Sequence, residues 1–248
     1  MMPFSLTGKR VLVTGASSGI GRACAICASQ LGASVLMTGR RQSALEETLA
    51  QCAGEGHLIV AGDITSAEFV KELVEKSGKL DGLVHAAGIA PMCPVGMLTS
   101  DSVEPAMRTN YYSFLELMKY CSKIKYRNDK FSVVAISSVS ADVGWGGGSV
   151  YCGSKGALSA SVRALAVELA PKGIRINAVC PSNIRTPLYE QGASDMNDEA
   201  SLRELLKRQP LGLGEPEQVA WPVCFLLSDA AVFITGVSLP VDGGYLAQ

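Results

Sequence analysis

Histidine is almost missing from this 248-residue chain: His57 and His85 are the two that occur. A structural zinc site takes four ligands, drawn mostly from cysteine and histidine. Cys24 and Cys27 form a Cys-x-x-Cys, but no second such pair follows, and the segment ACAICASQLG around them reads as a buried helix. No metal site is therefore expected. The eight cysteines sit among apolar and small residues, as core side chains rather than a disulfide framework. An excess of one charge is missing too. With 22 basic against 23 acidic residues the net charge is −1, so no field draws the chain to nucleic acid or an anionic membrane. No apolar run approaches the ~18 residues of a membrane helix; the longest, Val219 to Leu227, is interrupted by Trp221 and Pro222. The opening MMPFSLTGKRVLV lacks the basic-then-apolar layout of a signal peptide. The expectation is a soluble, cytoplasmic protein.

What the chain has is apolar material in short runs. Hydrophobic residues make up 48% of it, enough for one large domain over 1–248, and the length is short for two. VLVTG (11–15), SVLMTG (34–39), GHLIVAGD (56–63), DGLVHAAG (81–88), FSVVAISS (131–138), IRINAVCP (174–181) and VSLPVDGG (237–244) read as strands. Each is nearly all apolar, as strands covered on both faces must be. Helical patterns lie between them, including SALEETLAQ, AEFVKELVEKS, the stretch 103–124 and KGALSASVRALAVELA. Strand–helix–strand repetition implies right-handed crossovers and a parallel sheet. The fold class expected is α/β, a single-domain Rossmann fold with a doubly wound parallel seven-stranded sheet. The one irregular region is rich in Gly, Ser, Asp and Asn and follows a strand end. Residues 187–208 are thus a candidate substrate lid, placed where such sheets bind ligands.

Two short patterns carry chemistry. VLVTGASSGIGRA runs from the first strand into the first helix, with Gly15, Gly19 and Gly21 in the turn. Glycines there permit a tight turn and let backbone N–H groups and the positive helix end meet a pyrophosphate. In VYCGSKGAL, Tyr151 and Lys155 are four residues apart, so on a helix the phenol and the ammonium share one face. Taken singly, either pattern could be an ordinary turn or an ordinary helix surface.

Thr14-Gly15-Ala16-Ser17-Ser18-Gly19-Ile20-Gly21, Ser138 and Tyr151-x3-Lys155 together resemble the short-chain dehydrogenase/reductase family. The resemblance runs to the ending ITGVSLPVDGG, and the finer likeness is to 3-oxoacyl-(acyl carrier protein) reductases. It implies an NAD(P)(H)-dependent oxidoreductase passing hydride between nicotinamide and a carbonyl or alcohol carbon. Tyr151 would be the acid in reduction and the base in oxidation. A free phenol has a pKa near ~10, so the positive charge of Lys155 is expected to lower it. Lys155 would also bind the nicotinamide ribose. Ser138 would hydrogen-bond the substrate oxygen; Ser137 competes for that role, but strand alternation turns the two opposite ways and the family spacing selects Ser138. Asn110 would kink its helix and link Lys155 to solvent through water. The cofactor set implied is Gly15, Ser17, Ser18, Gly19, Ile20, Gly21, Arg40, Arg41, Asp63, Ile64, Ala87, Gly88, Tyr151, Lys155, Pro181, Ile184 and Thr186, with Asp63 near the adenine and Thr186 on the carboxamide. Two departures stand out. His85-Ala86-Ala87-Gly88 replaces the family's Asn-Asn-Ala-Gly, and Pro181-Ser182 replaces Pro-Gly; His85 reads as structural rather than catalytic.

Past Gly39 no acid follows the second strand; Arg40 and Arg41 stand there instead. A guanidinium suits a 2′-phosphate, so NADP(H) is expected over NAD(H). The substrate expected is a small carbonyl or alcohol, with a 3-oxoacyl carrier-protein thioester in first place. For the acidic carrier, Lys172 and the run Lys123, Lys125, Arg127 and Lys130 offer a docking face. The alternatives are a sugar or other small-alcohol dehydrogenase of the same family, or a non-catalytic dinucleotide sensor. An epimerase of the family's extended branch would need a larger C-terminal domain. Excess apolar residues in 101–125 and 151–170, together with the pairing the family makes there, lead to an expected homotetramer.

Overall fold

A computed structural model describes residues 3–193, 203 and 207–248 of the chain. Seven parallel strands lie in the order β3-β2-β1-β4-β5-β6-β7. They are β1 (Arg10–Thr14), β2 (Ser34–Gly39), β3 (Leu58–Ala61), β4 (Leu80–His85), β5 (Arg127–Ile136), β6 (Ile174–Pro181) and β7 (Ser238–Val241). The helices between them are α1 (Gly19–Gln30), α2 (Gln42–Leu49), α3 (Ala67–Ser77), α4 (Ser100–Met107), α5 (Ser113–Cys121), α6 (Ser149–Leu169), α7 (Pro187–Ala193) and α8 (Pro216–Leu227). This is the expected doubly wound Rossmann architecture.

Period-two alternation divides the core into two layers. Val11, Val13, Val35, Met37, Val134 and Val179 face α1 and α8. Leu12, Leu36, Leu83, Val133, Ile176 and Ala178 face the other way, toward α3, α5 and α6. Both faces of the central strands are thus dry, and burial of apolar surface at roughly 25 cal/mol per Å² is the main driving force for the layering. The order of strands reverses between β1 and β4, which are direct neighbours. The crevice beyond their carboxyl ends is where such a sheet receives a ligand.

Three local departures from the sequence reading have physical causes. β5 begins at Arg127, four residues before FSVVAISS, because the Arg127 guanidinium is buried and donates to the carbonyls of Ser122, Asn128 and Asp129. The stretch read as one helix over 103–124 is α4 and α5 joined by a π turn, Arg108–Tyr112. α6 begins at Ser149, ahead of its apolar stripe, so Tyr151 lies in its first turn. Of the expected lid, α7 and residues 203 and 207–208 are described, while 194–202 and 204–206 lie outside the described residues.

Candidate active site

Four segments meet at the carboxyl edge of the sheet. The first is the glycine turn. Gly15 has φ +65°, and a methyl group built on it would stand 2.8 Å from the Ala86 carbonyl carbon and oxygen and the Ala87 nitrogen. One on Gly21 would stand 2.2 Å from the Gly15 carbonyl oxygen. Only glycine lets the turn come this close to the chain leaving β4, and α1 come this close to the turn. The N-cap of α1, Ser18, makes no side-chain cap, and the first turn holds no acid. Its N–H groups are left for an anion, with the positive helix end behind them. These residues fit the pyrophosphate of a dinucleotide.

The other implied cofactor residues border this turn. Ser17 lies over the end of β2, 3.2 Å from a methyl built on Gly39. Gly19 meets Thr186 in the same way at 3.1 Å, so the loop ahead of α7 closes over the turn. Thr186 caps α7 by accepting the Tyr189 N–H at 3.2 Å. Ile20 packs against the core, and Ile184 and Ile64 are buried, so these three shape the site from beneath. Arg40 and Arg41 are exposed just past β2 and make no ion pair within 4.0 Å among the described residues. Asp63 accepts the Thr65 N–H at 2.9 Å, which with the charge of Arg40 holds its carboxyl below the ordinary value. Sequence reading passed over Arg22, one turn into α1. Its guanidinium donates to the Ser17 carbonyl at 2.9 Å and to Thr48 at 3.1 Å, and Thr48 donates to the Ala16 carbonyl at 2.9 Å. The arginine following Gly-x-Gly was the signal available.

The remaining segments bring the proton-transfer candidates together. Lys155 is 4% exposed; its Nζ donates to the Ile136 carbonyl at 2.8 Å and lies 5.8 Å from the centre of the Tyr151 ring. Gly88 fills the gap beside it, since a methyl there would sit 3.5 Å from Lys155 Nζ and 3.3 Å from Asn110 Oδ1. Asn110 is fully buried. It accepts the Ile89 N–H at 2.8 Å and donates to the Ile89 carbonyl and to Ser154 Oγ, both at 2.9 Å. The kink expected at Asn110 is the π turn. Ser137 points into the packing of α6, against the Lys155 carbonyl and Ser159. Ser138 turns the opposite way, toward the Pro181 carbonyl and the Tyr151 phenol. The departure at Pro181-Ser182 is absorbed by Gln209, buried at 1% exposure, whose Oε1 receives Ser182 at 2.8 Å. Beyond Tyr151, Trp145 stands 6.5 Å from its ring, and the Cys93 N–H donates to the Gly147 carbonyl at 2.8 Å. The loops 89–97 and 144–148 therefore meet beside Tyr151.

Two expectations need correction. Lys155 does not lower the phenol here. Burial pushes the Tyr151 pKa above 10, and the opposing influence is the hydrogen bond with Ser138, because the ammonium is directed at the Ile136 carbonyl. The basic docking face is also misplaced. Arg127 begins β5 and Lys172 precedes β6, so both lie at the amino edge of the sheet. The eight residues of β6 separate that edge from the site by roughly 23 Å at ~3.3 Å per residue. Arg127 is buried, and Lys123 and Lys125 rest on the rings of Tyr120 and Tyr126 at 5.0 and 4.9 Å.

The chain is similar to proteins of known family and structure. A family model described as enoyl-(acyl carrier protein) reductase matches residues 15–246. L-rhamnose 1-dehydrogenase (NAD(P)(+)) of a Sphingomonas species is 38% identical, over 96% of each chain. Mouse L-xylulose reductase is 32% identical, over 99% of this chain and all of that one. A candidate NAD(P)-dependent gluconate 5-dehydrogenase of Beutenbergia cavernae, solved with NADP at low occupancy, superposes with a TM-score of 0.87. It is 30% identical and covers 99% of this chain and 100% of that one.

Burial lowers the Lys155 pKa from 10.5 to about 8. Between those values the unfolded chain holds a proton that the folded chain has released, so stability rises with pH there and levels off below about 8. The free energy of unfolding of the ligand-free protein, measured relative to Lys155→Met, is expected to climb between pH 8 and 10 by up to ~1.4 kcal/mol per unit. Urea unfolding at a series of pH values checks this; a difference unchanged from pH 7 to 10 contradicts it.

Proposed function

Because the chain belongs to the short-chain dehydrogenase/reductase family and is an NAD(P)-dependent oxidoreductase of alcohols and carbonyls, we propose that its substrate is a small polyhydroxylated compound of the sugar type rather than an acyl thioester. The observation that carries this reading is the pair of sugar-named relatives aligned over nearly their whole lengths. The position of the basic side chains supports it: those once assigned to an acidic carrier lie at the edge of the sheet away from the site.

The nicotinamide, when bound, supplies or takes up the hydride. The chain's own residues handle the proton and the oxygen. Ser138 donates a hydrogen bond to the substrate oxygen beside Tyr151. The phenol gives that oxygen its proton in reduction and takes it back in oxidation. Burial disfavours the phenolate, so the protonated acid is the resting form. Lys155, which carries its charge at neutral pH with a pKa of about 8, binds the ribose hydroxyls. Asn110 holds Ile89 and Ser154 in register beside it.

NADP(H) is the proposed cofactor. Arg40 is exposed at the end of β2 where an acid would bind the 2′-hydroxyl of NAD, and NADP occupies the gluconate 5-dehydrogenase-like neighbour. A steady-state panel of aldoses, ketoses, polyols and acetoacetyl thioester, run with both cofactors on wild type and Arg40→Ala, tests substrate and cofactor together. The best sugar is expected to exceed the thioester in kcat/KM by about tenfold or more. Arg40→Ala is expected to reduce the NADPH/NADH ratio by about 10- to 150-fold, the equivalent of one charged contact. A thioester that outperforms every sugar refutes the substrate assignment, and an unaltered ratio refutes the role of Arg40.

We also propose a homotetramer. Tyr112, Leu115 and Val167 are exposed on the two helical segments expected to pair, and Trp221 and Phe233 on the far side are 61% and 100% exposed. Apolar patches of this kind mark contacts. Sedimentation equilibrium at micromolar concentration is expected to give about four times the 26.0 kDa chain mass; a monomer overturns the proposal.

A further inference from the structure

β6 ends at Pro181 and α7 begins at Pro187. The residues between them, 182–186, belong to no strand or helix, yet they reach the glycine turn: a methyl built on Gly19 would stand 3.1 Å from Thr186 Cγ2. One side chain fixes their path. Gln209 is 1% exposed, and its amide brings two lone pairs and two N–H groups that burial requires to be paired. Oε1 accepts from Ser182 Oγ at 2.8 Å and from the Asn183 N–H at 3.3 Å. Nε2 donates to the Asn183 carbonyl at 3.1 Å and to the Gly212 carbonyl at 2.6 Å. A main-chain N–H can only donate and a carbonyl can only accept, so these partners fix which end of the amide is the oxygen. All four capacities are used.

The anchor is enclosed on both sides. Ser182 Oγ also lies 2.9 Å from the Asp242 carbonyl, and a methyl built on Gly243 would stand 2.8 Å from Gln209 Cγ. Opposite, the Gly214 N–H donates to the Asn183 carbonyl at 3.1 Å and the Arg185 N–H to the Gly214 carbonyl at 2.9 Å, with Ile184 buried in the bridge between them. The Thr186 hydroxyl then donates to the Ile184 carbonyl at 3.3 Å and accepts the Tyr189 N–H at 3.2 Å. One of its two lone pairs is left for an incoming N–H. We propose that Gln209 is a positioning residue of the cofactor site: by clamping Ser182 and both main-chain groups of Asn183 to Gly212, it sets where Thr186 stands against the glycine turn, and so how tightly the nicotinamide half of the dinucleotide is held. Gln209 acts through residues 182–186. Each bond lost from a buried amide strands a polar group away from water, so the clamp resists displacement. The candidate adenosine contacts, Arg40 and Asp63, follow β2 and β3, on the other side of β1 from β6, and the clamp does not reach them. The inference rests on the reading of this crevice as the NAD(P) site.

Isothermal titration with NADP and with ADP-ribose 2′-phosphate, which is NADP without its nicotinamide, separates the two halves; if the wild type prefers NAD, then NAD and ADP-ribose replace them. Gln209→Met keeps the length of the side chain and removes all four bonds. Its Kd for NADP is expected to rise about five- to tenfold, as a net loss of about one hydrogen bond implies. Its Kd for the fragment, and its kcat at saturating cofactor, are expected to match wild type. Ser182→Gly removes one bond of the four and is expected to raise the NADP Kd about two- to threefold while sparing the fragment. Equal losses for both ligands, or no loss for either, overturn the proposal. Should Gln209→Met fail to fold, Ser182→Gly decides by the same comparison. A wild type that binds neither ligand sinks the cofactor reading itself, whereas a wild type that binds both, with variants that match it, sinks only the role of Gln209.

Discussion

A lysine ammonium buried with no carboxylate paired to it among the described residues is the constraint that the site is built around. Desolvating a lone charge is costly, and the chain offsets it with one main-chain carbonyl, that of Ile136, at 2.8 Å. Lys155 sits 4% exposed on α6, a helix that brings Ser154, Lys155, Leu158, Ser159 and Val162 to its buried side. The same helix turn presents Tyr151. The phenol and the ammonium are thus fixed by one rigid element, and anything that moved Lys155 toward solvent would displace the acid too.

The neighbouring elements answer to that lysine. Gly88 is the residue that can pass between Asn110 and Lys155. Ser137 receives the strand end against α6 while Ser138, one residue on, faces the opposite way. His85 remains neutral partly because the ammonium is near. On the other side of β1, the glycine turn supplies the complementary field: an uncapped helix N-terminus, held by Arg22 and Thr48, that favours an anion. A cationic pocket and an anion-binding turn at adjacent strand ends suit a dinucleotide that must span both.

Much of this was legible in the residues. β2 and β6 end where their apolar runs end, and α3 coincides with AEFVKELVEKS, whose N-cap Ser66 receives the Phe69 N–H. The glycine turn was readable because close backbone approach leaves no other residue type that fits. The π turn was legible only through the family resemblance, as a kink at Asn110: its residues RTNYY carry no glycine, and its cause is tertiary, a buried asparagine drawn to Ile89 and Ser154. Nor could charge pattern reveal which edge of the sheet the run from Lys123 to Lys130 would occupy, or that Arg127 would fold inward onto carbonyls. The influence of Lys155 on Tyr151 was overestimated because spacing gives the shared helix face but not the direction of the ammonium.

The central claim is that Tyr151 is the group that passes the proton, on a helix rigid enough that removing its hydroxyl changes nothing else. Turnover of Tyr151→Phe, measured with the wild type's best substrate beside cofactor binding and thermal unfolding, tests it most directly. The account predicts a kcat lower by about 10²–10⁴-fold, with Tm and cofactor affinity close to those of wild type. A variant that keeps more than about a tenth of the wild-type kcat would contradict it.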